Sequence, residues 1–237
     1  NLANLGITVD IISNKKNIKN KTRTIGISKS NVEFLNKEIF DINKFLWKVN
    51  KIEIFTENLK ENKVLEFENG KNYLFALFKN NEVLEYLFST LKKNKFVKFK
   101  KKLEIKNYEL IINCQKNTLL SKKFFFNKVK KNYKSFAYTT IIKHKKLFKN
   151  NVAVQIFTER GPLAFLPLSS KETSIVFSAR GTDDVNLRYL IEKYGKKYTL
   201  TKVDKIEKFE IKSNNLRIYY HKNILAFGDL LHQIHPL

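Results

Sequence analysis

Cysteine is nearly absent from this 237-residue chain. Cys114 stands alone, which excludes an intramolecular disulfide framework and fits a reducing compartment. Glycine and proline are scarce, at 7 and 3 residues, and neither an internal repeat nor a low-complexity linker interrupts the sequence. No apolar run approaches the roughly 18 residues that a membrane span requires, and Asn1 opens no signal-peptide pattern. Arginine is the other scarce residue: only five of the 46 basic side chains are Arg.

What is abundant is lysine. The formal charge of +24 invites a nucleic-acid reading. Phosphate and base recognition, however, leans on the planar, bidentate fork of Arg. The lysines are also scattered along the chain, apart from a local cluster at 98–102. A Lys-, Asn-, Ile- and Phe-rich composition is what an AT-biased genome writes, so most of the charge is read as solvated surface. Attraction to anionic membrane surfaces and a basic nucleic-acid-binding module are the remaining readings. With 43% apolar and 13% aromatic residues, the chain can bury a real core as one large domain or two interleaved ones. The expected setting is cytoplasmic.

Periodicity gives the organisation. Gly6 stops a short helix, and Val9-Asp10-Ile11-Ile12 reads as a strand. Between residues 28 and 50, Val32, Leu35, Ile39, Ile42, Phe45, Leu46 and Val49 fall at helical spacing, which predicts two helices. Residues 52–78 alternate as strands with a turn at Asn69-Gly70. Val83, Leu84, Leu87, Phe88 and Leu91 then form an amphipathic helix with Asn80 or Asn81 as N-cap. Strands are predicted at 96–105 and 108–114. From Phe136 the texture is β, at 137–142, 152–158, 163–168 and 174–179, with the short connections of an antiparallel sheet. A helix at 185–194 closes on Gly195, and strands at 216–220 and 224–227 end on Gly228-Asp229. The alternation of βα units around a β block predicts that the first and last segments share one domain, with the block inserted.

Four stretches carry chemistry. Phe227-Gly228-Asp229-Leu230-Leu231-His232-Gln233-Ile234-His235-Pro236 places Gly-Asp at the carboxyl end of a strand, where α/β folds bind ligands and a carboxylate can accept from a sugar hydroxyl. Asp229, His232 and His235 are also spaced to ligate a metal, though no further ligand cluster accompanies them, and a plain capping Asp is a third reading. Phe157-Thr158-Glu159-Arg160-Gly161-Pro162-Leu163-Ala164-Phe165-Leu166-Pro167-Leu168 reads as two strands and a tight turn. Thr22-Arg23-Thr24-Ile25-Gly26 sets one of the rare Arg before a helix, and Asn81-Glu82-Val83-Leu84 opens another.

In this order and spacing, the stretches resemble the group A flavoprotein aromatic hydroxylases, and His235-Pro236 resembles their ubiquinone-biosynthesis (2-polyprenyl-phenol hydroxylase) branch. The stretch from Tyr133 to His144 is similar to the family's first strand after the crossover. The resemblance implies an α/β fold: a Rossmann-like FAD/NAD(P)-binding domain with an inserted, mostly antiparallel β-sheet substrate domain. It implies residues 1–132 for the FAD domain, with some substrate-domain strands within 50–80, then 133–212 for the substrate domain and 213–237 for the return.

The implied function is FAD-dependent hydroxylation of a prenylated phenol, with NAD(P)H as electron donor. The cofactor contacts implied are Arg23, Asn81, Val97, Gly228, Asp229 and Pro236, and the substrate contacts Leu163, Phe165 and Leu166. No side-chain base and no metal are implied. Partners would be the prenylated aromatic substrate, other ubiquinone-biosynthesis proteins and the inner face of a membrane, with nucleic acid not expected.

The chain also departs from the family. It is expected to be a piece lacking both termini, since the Gly-rich first turn and the continuation past Pro236 are not in it. Ser13 stands where the family has a ribose-binding acid, and residues 113–122 lack the family's Asp-Gly, which puts nicotinamide use in question. These departures support an alternative: a degenerate relative that binds a partner or quinone intermediate without turnover.

Overall fold

The computed structural model describes residues 2–13, 22–57, 62–70, 72–181 and 184–233. Strand β1 (Val9–Ile12) follows the Gly6 turn, and β2 (Thr24–Ser28) leads into helix α1 (Lys29–Glu38). Ser28 caps α1, its hydroxyl accepting from the amide of Asn31. Strands β3 (Trp47–Val49), β4 (Lys51–Thr56), β5 (Lys63–Glu68) and β6 (Phe75–Lys79) precede α2 (Asn80–Lys93) and β7 (Val97–Lys100). Next come β8 (Ile111–Asn113), α3 (Leu119–Phe124), β9 (Lys128–His144), β10 (Val152–Thr158), β11 (Gly161–Pro167) and β12 (Glu172–Arg180). The last elements are α4 (Leu187–Tyr194), β13 (Leu200–Val203), β14 (Glu207–Leu216), β15 (Tyr220–His221), β16 (Ile224–Ala226) and β17 (His232–Gln233).

Packing divides the chain into two units, Asn1–Lys101 with Ala137–Phe209, and Lys102–Phe136 with Glu210–Leu237. The N-terminal hundred residues thus group with the β block rather than with the C-terminal segment. Short hairpins place the block's strands side by side, and β4 joins them through a parallel pairing with β10.

In the first unit the main sheet runs β9-β12-β11-β10-β4-β5, with β13 added on β9. All of its pairings but β4–β10 for which a register is defined are antiparallel. Burial alternates along β11, so Leu163 and Phe165 are buried while Pro162, Ala164 and Leu166 are half-buried on the other face. Gly195, at the end of α4, abuts the Phe165 ring. A small sheet, β2-β6-β3, packs through Val49 and Leu77 against Ala153, while α1 and α2 close over Phe78 through Val32 and Val83. β1 and β7 form a two-stranded parallel sheet.

The second unit is built around β8-β16-β15, with β8 and β16 parallel. Its core joins Ile111, Leu120, Phe125, Leu216, Ile224, Ala226 and Leu230.

Three expectations need correction. Residues 28–50 hold one α-helix, not two: after a 3-10 turn at Asn43–Phe45 the chain extends into β3. There Trp47 pairs with Leu77, and its indole N–H donates to the Asn150 carbonyl at 2.6 Å. Tertiary pairing overrides a helical spacing that Val49 happened to continue. The Asn69-Gly70 turn exists, with Gly70 at φ +47, but β5 pairs with β4 and β6 with β2 and β3. Finally, neither Asn80 nor Asn81 caps α2; Lys79 holds that position without a side-chain hydrogen bond.

Candidate functional site

Arg23 and Asn81 are brought together within the first unit. β2 and β6 pair with Thr24 opposite Lys79, so the residue before β2 meets the residue after β6. The amide of Asn80 accordingly donates to the Arg23 carbonyl at 3.0 Å. This end of β2 is held further by Thr22, whose hydroxyl donates to Glu207 at 2.6 Å, and by the Thr24–Ser174 hydroxyl pair at 2.9 Å. The Arg23 side chain is exposed and forms no ion pair among the described residues.

Asn81 lies in the first turn of α2, where backbone N–H groups lack intrahelical partners and the helix end carries partial positive charge. Its carboxamide oxygen is buried and accepts no hydrogen bond. Orphaned buried acceptors are uncommon and call for an explanation.

Beside this helix start, Lys79 reaches Glu172 at 2.6 Å and Glu82 at 3.6 Å. Burial opposes the charge on Glu172, but Lys79 and Lys143 prevail and hold its carboxyl below the usual range. An adjoining cleft of about 260 Å³ is lined by Lys44, Phe45, Trp47, Phe78 and Leu168 together with these acids.

Val97 is buried at the start of β7 and pairs with Val9 of β1. The three expected substrate residues do not share a face. Leu163 and Phe165 are fully buried, and Phe165 stacks on Tyr198 with ring centroids 5.7 Å apart. Leu166 instead packs on the opposite face, near Val49, Leu77 and Ala153. All three thus pack within the first unit, Leu163 and Phe165 on one face of β11 and Leu166 on the other. Both faces of this strand read as apolar, so the sequence did not reveal which one α4 covers.

Gly228 and Asp229 belong to the second unit. Strand β16 delivers them, and the Phe227 amide donates to the Asn113 carbonyl at 3.0 Å, continuing the pairing with β8. Gly228 then adopts φ +59 and starts a 3-10 turn. Asp229 is exposed, and its carboxylate has no hydrogen-bond partner among the described residues. His232 turns to the Asn215 side chain at 3.0 Å. His235 and Pro236 lie outside the described residues.

Sequence reasoning missed Asn113. Its amide nitrogen donates to Ser121 Oγ at 2.9 Å and Thr118 Oγ1 at 3.2 Å, and its oxygen accepts from the Gln115 amide. Thr118 caps α3, and the Ser121 hydroxyl bonds the Gln115 carbonyl. The signal was available in the Thr118-Leu119-Leu120-Ser121 spacing, which is that of an N-cap and its third helical residue.

No family model and no curated protein sequence matches this chain. Solved structures do. The p-nitrophenol 4-monooxygenase PnpA from Pseudomonas putida DLL-E4 superposes with a TM-score of 0.79 at 12% identity, over 99% of this chain and 69% of its own. The tetrameric form of 2-methyl-3-hydroxypyridine-5-carboxylic acid oxygenase gives 0.74 at 11%, over 98% and 71%. The protein pqsL from Pseudomonas aeruginosa, a probable FAD-dependent monooxygenase, gives 0.73 at 11%, over 99% and 75%. The chain has the fold of the flavin-dependent aromatic monooxygenases.

Proposed function

We propose that the chain is part of an FAD-dependent monooxygenase that hydroxylates a prenylated phenol in ubiquinone biosynthesis. The observation that carries this reading is the unpartnered Asn81 oxygen at the start of α2, where the Asn80 amide bonds the Arg23 carbonyl, on a fold shared with flavin-dependent oxygenases. The buried Asn81 oxygen needs a donor, and a ribityl hydroxyl of a flavin nucleotide is one. The Arg23 guanidinium, unpaired among the described residues, suits phosphate oxygens. In the second unit, Asp229 offers a free carboxylate to a further hydroxyl. Arg23 and Asn81 fit the phosphate and ribityl parts of FAD; Val97, Gly228, Asp229 and Pro236 are further contacts that the family resemblance implies.

FAD, when bound, would supply the oxygen-activating chemistry, while the protein binds, orients and excludes water. The first unit's part is then binding through Arg23 and Asn81, with β11, which carries Leu163, Phe165 and Leu166, on the substrate side that the resemblance implies.

One observation favours a second reading, a relative that binds without turnover. Where the family has Asp-Gly, the Asn113, Thr118 and Ser121 side chains are satisfied by one another. The test is titration of FAD into the purified chain, followed by flavin absorbance and fluorescence quenching. Binding that weakens in Arg23→Ala and Asn81→Ala, with NAD(P)H oxidation on adding a prenylated phenol, supports the enzyme. Binding without turnover supports the second reading, and no binding sinks the first.

A further inference from the structure

The second unit is more basic than its size suggests: twelve Lys and Arg stand against four Asp and Glu. Much of this charge lies in one continuous stretch, residues 116–131. Lys116, Lys122, Lys123, Lys128, Lys130 and Lys131 form no ion pair among the described residues. Three of them, Lys116, Lys128 and Lys130, are near enough for their charges to act on one another. Burial, and then the charges of Lys130 and Lys116, hold the Lys128 ammonium below its ordinary range.

Large apolar side chains project from the same stretch. In α3, Leu120 and Ser121 face the core while Leu119 is 86% exposed beside exposed Lys122 and Lys123. After the helix, Phe125 is 1% exposed and Phe126, its neighbour, 71%. Val129 then stands exposed between Lys128 and Lys130. Folding therefore buries one apolar set, Leu120 and Phe125, and leaves a second set outside among cations. A monomer in water gains nothing from that second set.

We infer that residues 116–131 form a membrane-docking surface that takes an anionic lipid bilayer. The lysines match the negative surface potential of phospholipid headgroups, and Leu119, Phe126 and Val129 reach toward the acyl boundary. Neither signal suffices alone, and this stretch carries both. A nucleic acid is the other polyanion to consider. Lys supplies point charges here rather than Arg forks, and of the three exposed apolar side chains only Phe126 has a ring on which a base could stack. The inference stands apart from the flavin reading, because none of its residues belongs to the proposed cofactor contacts.

The experiment is co-sedimentation of the full chain with vesicles of phosphatidylcholine alone or with about a third phosphatidylglycerol, at low and high salt. Three proteins are compared: wild type, Phe126→Ser with Leu119→Ser, and Lys128→Gln with Lys130→Gln and Lys131→Gln. A fourth, Lys92→Gln with Lys93→Gln and Lys95→Gln, changes the same charge elsewhere. Circular dichroism checks that each is folded.

The surface predicts binding to the anionic vesicles only, reduced about fivefold for each lysine removed from 128–131 and severalfold by the apolar pair. Equal losses from the 92–95 variant would show a generic charge effect and overturn the inference. So would absence of binding to anionic vesicles, or tighter binding to single-stranded RNA that ignores the Phe126 and Leu119 changes.

Discussion

The Asn80 amide and the Arg23 carbonyl, 3.0 Å apart, tie the entry of β2 to the first turn of α2. One main-chain hydrogen bond thus brings the backbone of a rare exposed Arg to the helix turn that carries the unpartnered Asn81 oxygen. A surface Arg and a helix-start Asn are each ordinary; it is their juxtaposition, with an orphaned oxygen, that points to a ligand.

Asn81→Ala separates a structural role from a binding role. Leaving a buried acceptor unsatisfied costs about 1–3 kcal/mol. Removing it should therefore leave the ligand-free chain as stable or up to about 1 kcal/mol more stable, in urea unfolding. The same substitution should weaken FAD binding roughly tenfold, the worth of one good hydrogen bond. A clear loss of stability with unchanged FAD affinity would make Asn81 a structural residue.

Asn113→Ala should behave in the opposite way. Its side chain makes three hydrogen bonds, one of them to the buried Ser121, so its removal takes three bonds from the network and leaves Ser121 and Thr118 only each other and the Gln115 carbonyl. About 2 kcal/mol of stability should be lost. Urea denaturation measures it, and a midpoint equal to wild type would mean that the network is unimportant to the fold.

The β block was the most legible part of the fold. Predicted strands at 137–142, 152–158, 163–168 and 174–179 correspond to β9, β10, β11 and β12, because β-branched and aromatic residues cluster there between short turns. The helix expected at 185–194 appears as Leu187–Tyr194. What the sequence hid depended on tertiary partners. Val49 continues a helical spacing yet pairs with β6, and β14, with alternate polar residues such as Lys212 and Asn214, offered little hydrophobic signal. Leu163 and Leu166 are alike as letters, and only the packing of the hairpin decides which is enclosed. Asn81 stood out in the sequence only as a residue at a helix start, and its orphaned oxygen is a fact of packing that no spacing encodes.

Gly161 should tolerate no side chain. It begins β11 at φ +136, and a β-carbon there would lie 2.0 Å from the Ser178 carbonyl oxygen. That contact is with backbone of the paired strand, so no side chain can swing aside to relieve it. Gly161→Ala should cost about 3 kcal/mol or more and yield little soluble protein, read as a lowered thermal midpoint. Gly181→Ala is the control: it also has a positive φ, +83, but open space around the site, so its smaller loss would isolate the clash from the backbone strain.

Glu57 should make the first unit acid-sensitive. Its carboxylate accepts from Lys193 at 2.8 Å, from the Tyr194 hydroxyl at 2.5 Å and from the Glu159 amide at 3.2 Å. Hydrogen bonds from Lys193 and Tyr194 bring its pKa down to about 2. An unfolded Glu titrates near about 4.3, so the folded state binds the proton more weakly than the unfolded chain. The resulting stability is fully present above the unfolded value and is lost as pH falls through the interval toward 2. Because the pair is partly open to solvent, the effect should be modest. Glu57→Gln cannot take part in this titration, so its thermal midpoint should be lower than wild type at neutral pH and converge on it between about pH 4 and pH 2. Parallel curves over that interval would mean that the Glu57 contacts contribute no proton-linked stability.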